Sequence, residues 1–170
     1  TVNPTPDVDV PLNATFCAGE NVGSIVFLGN VANTIFTWTN DNTDIGLGSN
    51  GIGDLPPFIA TNSTTTAISG KITVYQQYTN AGVTCSGVRD DFTITVNPAP
   101  MVNPITDVVL CSNQVLQAIN FTGNLPGITY SWTNDNTIFG LASGGTGGIP
   151  ITFLNAIGGV PAVSNIMVTP

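Results

Sequence analysis

The sequence predicts an all-β protein built from two tandem β-sandwich domains. Three observations carry this: a repeat of domain length, a composition poor in helix formers, and short apolar segments separated by turn residues. An offset of 94 places Trp38-Thr39-Asn40-Asp41-Asn42-Thr43 on Trp132-Thr133-Asn134-Asp135-Asn136-Thr137. Without a gap, the same offset places Cys17 on Cys111, Phe27 on Phe121, Gly29 on Gly123, Gly51 on Gly145 and Pro56 on Pro150. A period this long is a whole domain, not a solenoid unit of roughly 20–50 residues.

The elements follow in order. The segment 24–28, Ser-Ile-Val-Phe-Leu, reads as a short strand closed by Gly29-Asn30. The segment 35–39 is rich in β-branched and aromatic residues and stops at Asn40-Asp41-Asn42. The glycine-rich stretch 48–53 reads as a turn, and 54–62 holds a strand around Phe58. Ile72-Thr73-Val74-Tyr75 and Phe92-Thr93-Ile94-Thr95-Val96 alternate apolar with polar, the period of a half-buried strand. About seven such strands in some 90 residues fit an immunoglobulin-like Greek key.

The domains expected are 1–97 and 98–170. Thr1-Val2-Asn3-Pro4 repeats as Thr95-Val96-Asn97-Pro98, so residues 1–4 read as the tail of a preceding repeat. The second copy reaches only the position of Gln76 and is expected to lack its last strand, as in a piece of a longer array. The joint Val96-Asn97-Pro98-Ala99-Pro100 has two prolines and no glycine, which favours a stiff, extended linker.

Charge limits function. Lys71 and Arg89 are the only basic residues, against 10 acidic ones, for a net charge of −8. Nucleic acid as a partner is excluded, since phosphate contacts need clustered Lys and Arg. No apolar run approaches the roughly 20 residues of a transmembrane helix, and no membrane insertion is expected. There is no His. Acid–base and triad chemistry therefore lack their usual proton carrier, and no enzyme activity is expected.

Asp41 and Asp44 are the candidates for a site. As a carboxylate pair they would suit glycoside cleavage, and with Asn40 and Asn42 they would offer oxygen ligands to calcium. The spacing is not that of an EF-hand loop, and Asp44 becomes Ile138 in the second copy. The reading adopted is a turn whose Asn and Asp side chains bond their own backbone, with no metal or cofactor. The glycines at 51–53 and 144–148 are not phosphate loops, because no Lys-Ser or Lys-Thr follows. Trp38 and Trp132 invite comparison with sugar-stacking platforms. Phe36 and Tyr130 lie two residues before them, on the same strand face, so core positions are expected, packed with Phe27 and Phe121.

Three cysteines reduce to two per complete repeat. One disulfide, Cys17 to Cys85, is expected in an oxidising compartment, with Cys111 unpaired. Strict immunoglobulin topology opposes it, because the turn after the first strand and the last hairpin lie at opposite ends of the domain.

The chain also resembles the PKD-like, immunoglobulin-like repeats of very large Bacteroidota cell-surface adhesins, of the SprB-type gliding-motility kind. The residues that carry the resemblance are Cys17-Ala18-Gly19-Glu20, Phe27-Leu28-Gly29, Phe36-Thr37-Trp38-Thr39-Asn40, Ile45-Gly46-Leu47, Gly51-Ile52-Gly53, Phe58-Ile59-Ala60-Thr61-Asn62, Cys85-Ser86-Gly87 and the closing Phe92-Thr93-Ile94-Thr95-Val96-Asn97-Pro98. It covers all of the first repeat and the second as far as it runs. Trp38-Thr39-Asn40-Asp41 departs from the Trp-Asp-Phe-Gly of the better-known PKD pattern. The resemblance implies type IX secretion to the cell surface, a filament attached to the outer membrane, and a role in adhesion or gliding motility. The partners implied are neighbouring repeats and an extracellular surface or polysaccharide. The alternative is a carbohydrate- or calcium-binding accessory module of a secreted enzyme.

Overall fold

The computed structural model describes residues 2–155 and 160–170. It is all-β, and the only helical element among the described residues is a 3-10 turn, Thr43–Ile45. Two compact units divide the chain, Thr1–Ala99 and Pro100–Pro170.

Unit 1 contains β1 (Ala14–Cys17), β2 (Asn21–Val22), β3 (Ile35–Asn40), β4 (Asn50–Ile52), β5 (Phe58–Ile59), β6 (Ile68–Asn80), β7 (Val83–Ser86) and β8 (Asp90–Asn97). The large sheet runs β1-β8-β6-β3-β4, and β7 pairs with the far end of β6. Sequence alternation sets its inner face. Phe92, Ile94 and Val96 of β8, Ile72 and Val74 of β6, and Trp38 of β3 are all buried, while Thr93, Thr95, Thr73 and Thr39 are not. The β1–β8 pairing is parallel and the others are antiparallel.

A second layer faces this sheet. It holds the β2–β5 pair and the isolated bridges Asp9↔Leu28 and Ile25↔Leu55. Val8, Val22, Phe27, Leu55 and Ala60 join the sheet's apolar residues in one core cluster. Phe27 ties the layers together: its ring centroid lies 5.9 Å from that of Phe36 on β3 and 6.3 Å from that of Phe92 on β8.

Two sequence expectations are corrected. The segment 24–28 is not a strand. It makes single bridges at Ile25 and Leu28, and between them the Phe27 N–H donates to the Asp54 carboxylate at 3.0 Å. A side chain thus takes the bond that a neighbouring strand would supply. The glycine-rich stretch 48–53 is not a plain turn, because Asn50–Ile52 forms β4 against β3. Strands β1 and β7 were not anticipated, and β6 extends well beyond Ile72-Thr73-Val74-Tyr75.

Unit 2 contains β9 (Gln114–Leu116), β10 (Ser131–Asn134), β11 (Gly144–Thr146), β12 (Thr152–Leu154) and β13 (Ile166–Thr169). Its ladders are β11-β10-β13 and β12-β9. The offset of 94 carries β3, β4 and β6 onto β10, β11 and β13, and Trp38↔Gly51 and Trp38↔Val74 become Trp132↔Gly145 and Trp132↔Val168. The bridge Ile25↔Leu55 returns as Ile119↔Ile149. Leu116, Phe121, Trp132, Leu141 and Ile149 form its core.

The units differ where β8 acts. Unit 2 has no counterpart of β8 among its described residues. Residues 108–111, the equivalent of β1, form no strand, and neither do 162–165, the equivalent of the first residues of β6. Both equivalents in unit 1 are held by hydrogen bonds to β8.

Candidate functional site

The sequence candidates meet at one corner of each unit, where β3 or β10 ends. Asn40 is buried, and its side-chain amide donates to the carbonyls of Asn42 (2.9 Å), Leu47 (3.0 Å) and Gly48 (3.3 Å). Its Oδ1 accepts from the Asn42 N–H at 3.1 Å. Asp41 Oδ1 accepts from the Lys71 backbone N–H at 2.7 Å. Asn42 caps the 3-10 turn by accepting from the Asp44 N–H at 3.1 Å, and its amide donates to the Ser69 carbonyl at 3.0 Å. Gly46 closes the turn with φ of 95°, donating to the Thr43 carbonyl. Every one of these bonds goes to the backbone of the same unit.

The second copy repeats the pattern. Asn134 is buried and donates to Leu141 and Ala142, while its Oδ1 accepts from the Asn136 N–H. Asp135 Oδ1 accepts from the Asn165 N–H at 2.8 Å, and Asn136 accepts from the Ile138 N–H at 3.1 Å. Only a backbone N–H is needed two residues after Asn42 and Asn136. An aspartate there, Asp44, and an isoleucine, Ile138, therefore serve the turn equally. One position is rebuilt. Gly70 sits so close to Asn40 and Ile45 that a Cβ would clash, and its counterpart Ser164 instead donates its hydroxyl to Asn134 Oδ1.

Among the described residues, no group of three His, Cys, Asp or Glu side chains is placed to hold a metal. Asp41 already uses an oxygen on Lys71, and Asp44 is exposed.

Trp38 and Trp132 are buried, 3% and 4% exposed. Phe27 and Phe121 are buried in the same clusters. Neither indole offers a face to a sugar.

The three cysteines are free, which corrects the expected Cys17–Cys85 disulfide. Cys17 lies beside Asn97 at one end of β8, and Ile68 of β6 pairs with Val96 there. Cys85 pairs with Tyr78, near the other end of β6. Ten residues of strand separate those levels, roughly 30 Å, against the about 7 Å that a bridge allows between Cα atoms. Cys17 and Cys111 have a local role instead. Their backbone N–H groups donate to Glu20 Oε2 (3.0 Å) and Gln114 Oε1 (2.7 Å), closing matching turns.

Sequence reasoning also missed a carboxylate held by a neighbouring side chain in each unit. In unit 1, Lys71 Nζ lies 2.6 Å from Asp91 Oδ2, and the hydrogen bond from Lys71 holds the Asp91 carboxyl below its ordinary range. In unit 2, Asn165 donates from its side-chain amide at 2.7 Å, and from its backbone, to Asp135, whose carboxyl is likewise held low. An open cleft of about 420 Å³ lies beside this pair, lined by Thr133, Asn134, Asp135, Asn165, Ile166 and Met167. No protein-family model and no curated protein matches this chain. The assignment of the corner therefore rests on its own chemistry. Its side-chain amides and carboxylates accept from backbone N–H groups, and the amides donate to backbone carbonyls. What this arrangement does is fasten the ends of strands together.

Proposed function

We propose that the chain is a structural and adhesive repeat module of a very large cell-surface adhesin, exported by a type IX route and acting in gliding motility or surface attachment. Each unit is proposed to be an immunoglobulin-like, PKD-like sandwich. Support for that finer fold comes from unit 1, where the first strand lies parallel to the last and two layers enclose one core.

The observation that carries the functional proposal is what the two copies share. The repeated residues are those that build the interior and its corners: Trp38 and Trp132, Gly51 and Gly145, Asn40 and Asn134, Asp41 and Asp135. Several exposed positions outside the corner motif change. Ile52 of β4 becomes Thr146, Asp44 becomes Ile138, and Tyr75 becomes Thr169. A module kept for its shape shows this pattern, whereas a module kept for one ligand repeats its surface. The sequence resemblance supplies the cell-surface setting.

Antiserum raised against the chain and applied to intact cells that produce it tests the proposal. Labelling of intact cells as strong as that of permeabilised cells is expected. Labelling that appears only after permeabilisation contradicts it.

A further inference from the structure

We propose that Asn50-Gly51 is a self-modification site, at which Asn50 deamidates through attack by the Gly51 backbone nitrogen, and that β4 is the gate holding this reaction back. This chemistry stands apart from the adhesive role and needs no adhesion target.

Deamidation needs an asparagine followed by a residue that leaves its nitrogen unobstructed. Asn50-Gly51 is the only Asn-Gly in the sequence. The Gly51 nitrogen bonds to Asn50 Cγ, the Cγ–Nδ2 bond breaks, and ammonia leaves with the proton given up by the Gly51 amide. Water then opens the cyclic imide. Opening at one carbonyl gives aspartate, and opening at the other gives isoaspartate, whose backbone is longer by a methylene.

Packing holds this pair in the sequence. A Cβ at Gly51 would lie 2.6 Å from Trp38 Cε2, so the glycine is needed where it stands. Asn50 is exposed, and its side-chain amide donates to the Ser49 hydroxyl at 3.1 Å. Unit 2 has no such site. The residue before Gly145 is Gly144, where a Cβ would lie 2.6 Å from the Trp132 carbonyl oxygen.

The ladder supplies the gate. The Asn40 N–H donates to the Ser49 carbonyl at 2.8 Å, and the Gly53 N–H donates to the Phe36 carbonyl at 2.8 Å. Trp38 and Gly51 face each other between these two pairs. Hydrogen-bonded pairs recur at every second residue of an antiparallel ladder, so the Gly51 N–H is committed to the Trp38 carbonyl. An extended backbone, with ψ of about 135°, also turns the Gly51 nitrogen away from Asn50 Cγ. Attack therefore requires β4 to leave β3. β4 is 3 residues long and ends its sheet, the kind of element that opens without global unfolding. Isoaspartate makes the opening permanent. Its extra methylene moves Gly51 out of register with Trp38, and the strand no longer closes over the indole.

The test incubates the full chain in warm neutral buffer, folded and in guanidinium chloride, and follows Asn50 by peptide mapping that separates isoaspartate from aspartate. Asn50 should be the first asparagine of the folded chain to react, at a rate at least about tenfold below that of the unfolded chain. Folded chains purified with isoaspartate in place of Asn50 should lose the slow exchange of the Gly51 amide. The Asn50→Gln chain should keep that slow exchange through the same incubation, because its longer side chain closes the ring far more slowly. Earlier reaction at another asparagine of the folded chain overturns the proposal. So do equal rates in the folded and unfolded chains, an Asn50 that stays intact in guanidinium chloride, or a Gly51 amide still protected after isoaspartate forms.

Discussion

Gly51 stands directly across the β3–β4 ladder from Trp38, and the indole occupies the space a side chain at 51 would need. A Cβ there would lie 2.6 Å from Trp38 Cε2 and 2.9 Å from Nε1. The same pair recurs as Gly145 and Trp132, less tightly, with the nearest indole atom 3.0 Å from the Cβ position. The glycine lets the sheet backbone close over the ring.

Gly51→Ala should therefore destabilise unit 1 by about 1–3 kcal/mol, the range for an overpacked core. Gly145→Ala should cost unit 2 less. Each unit has one tryptophan, so urea unfolding followed by indole fluorescence, with the other tryptophan changed to Phe, reads them separately. Equal and negligible effects would mean that the rings are not held against these strands.

Asn40→Ala removes the donor to three carbonyls and the acceptor for one N–H inside the corner. A loss of about 1–3 kcal/mol is expected. Asp44→Ile should change stability by no more than about 0.5 kcal/mol, because only its backbone N–H is used and Ile138 holds the same place in unit 2. Chemical denaturation of the two variants checks the contrast. A large loss from Asp44→Ile would give its carboxylate a role that the turn does not provide.

The carboxyl of Asp135 is stabilised in its charged form, first by the side-chain amide of Asn165. Its folded pKa lies below its unfolded value. The stabilisation is thus complete above the unfolded pKa of about 3.9 and is lost as pH falls through the lower, folded value. Carbon-detected NMR titration should place its midpoint below about 3.9, and Asn165→Ala should raise that midpoint. A midpoint indifferent to Asn165 would remove that bond from the account.

Because Cys17 and Cys85 lie at opposite ends of the sheet, melting curves in oxidising and reducing buffer should agree within about 0.5 kcal/mol. A bridge closing the intervening loop would separate them by roughly 4 kcal/mol. Intact mass after thiol alkylation of the unfolded chain should show all three cysteines modified.

Much of this was legible in the sequence, for identifiable reasons. Alternation exposed the inner faces of β8 and of the middle of β6, since Phe92, Ile94, Val96, Ile72 and Val74 follow period two. The recurrence of Trp38-Thr39-Asn40-Asp41-Asn42-Thr43 marked the corner as a turn. Composition misled at 48–53, because glycine usually breaks strands, whereas Gly51 is there to admit an indole from the neighbouring strand. Local pattern also misled at 24–28, where an apolar run is stitched by Asp54, 27 residues from Phe27 in sequence. Strand β1 stayed hidden because its pairing is parallel and its partner β8 is far away in the chain. Counting cysteines suggested a bridge that the level of each residue along β6 rules out.

Amide hydrogen exchange on the full chain, with and without calcium, tests most directly whether the repeated corner serves the fold. Calcium at about 10 mM exceeds the roughly 0.1–1 mM affinities of extracellular sites. The N–H groups of Asn42, Asp44 and Lys71, and of Asn136, Ile138 and Asn165, should be protected as matching sets without calcium and unchanged by it. Free exchange of these amides without calcium, with protection gained on its addition, would show that the corner is a metal site.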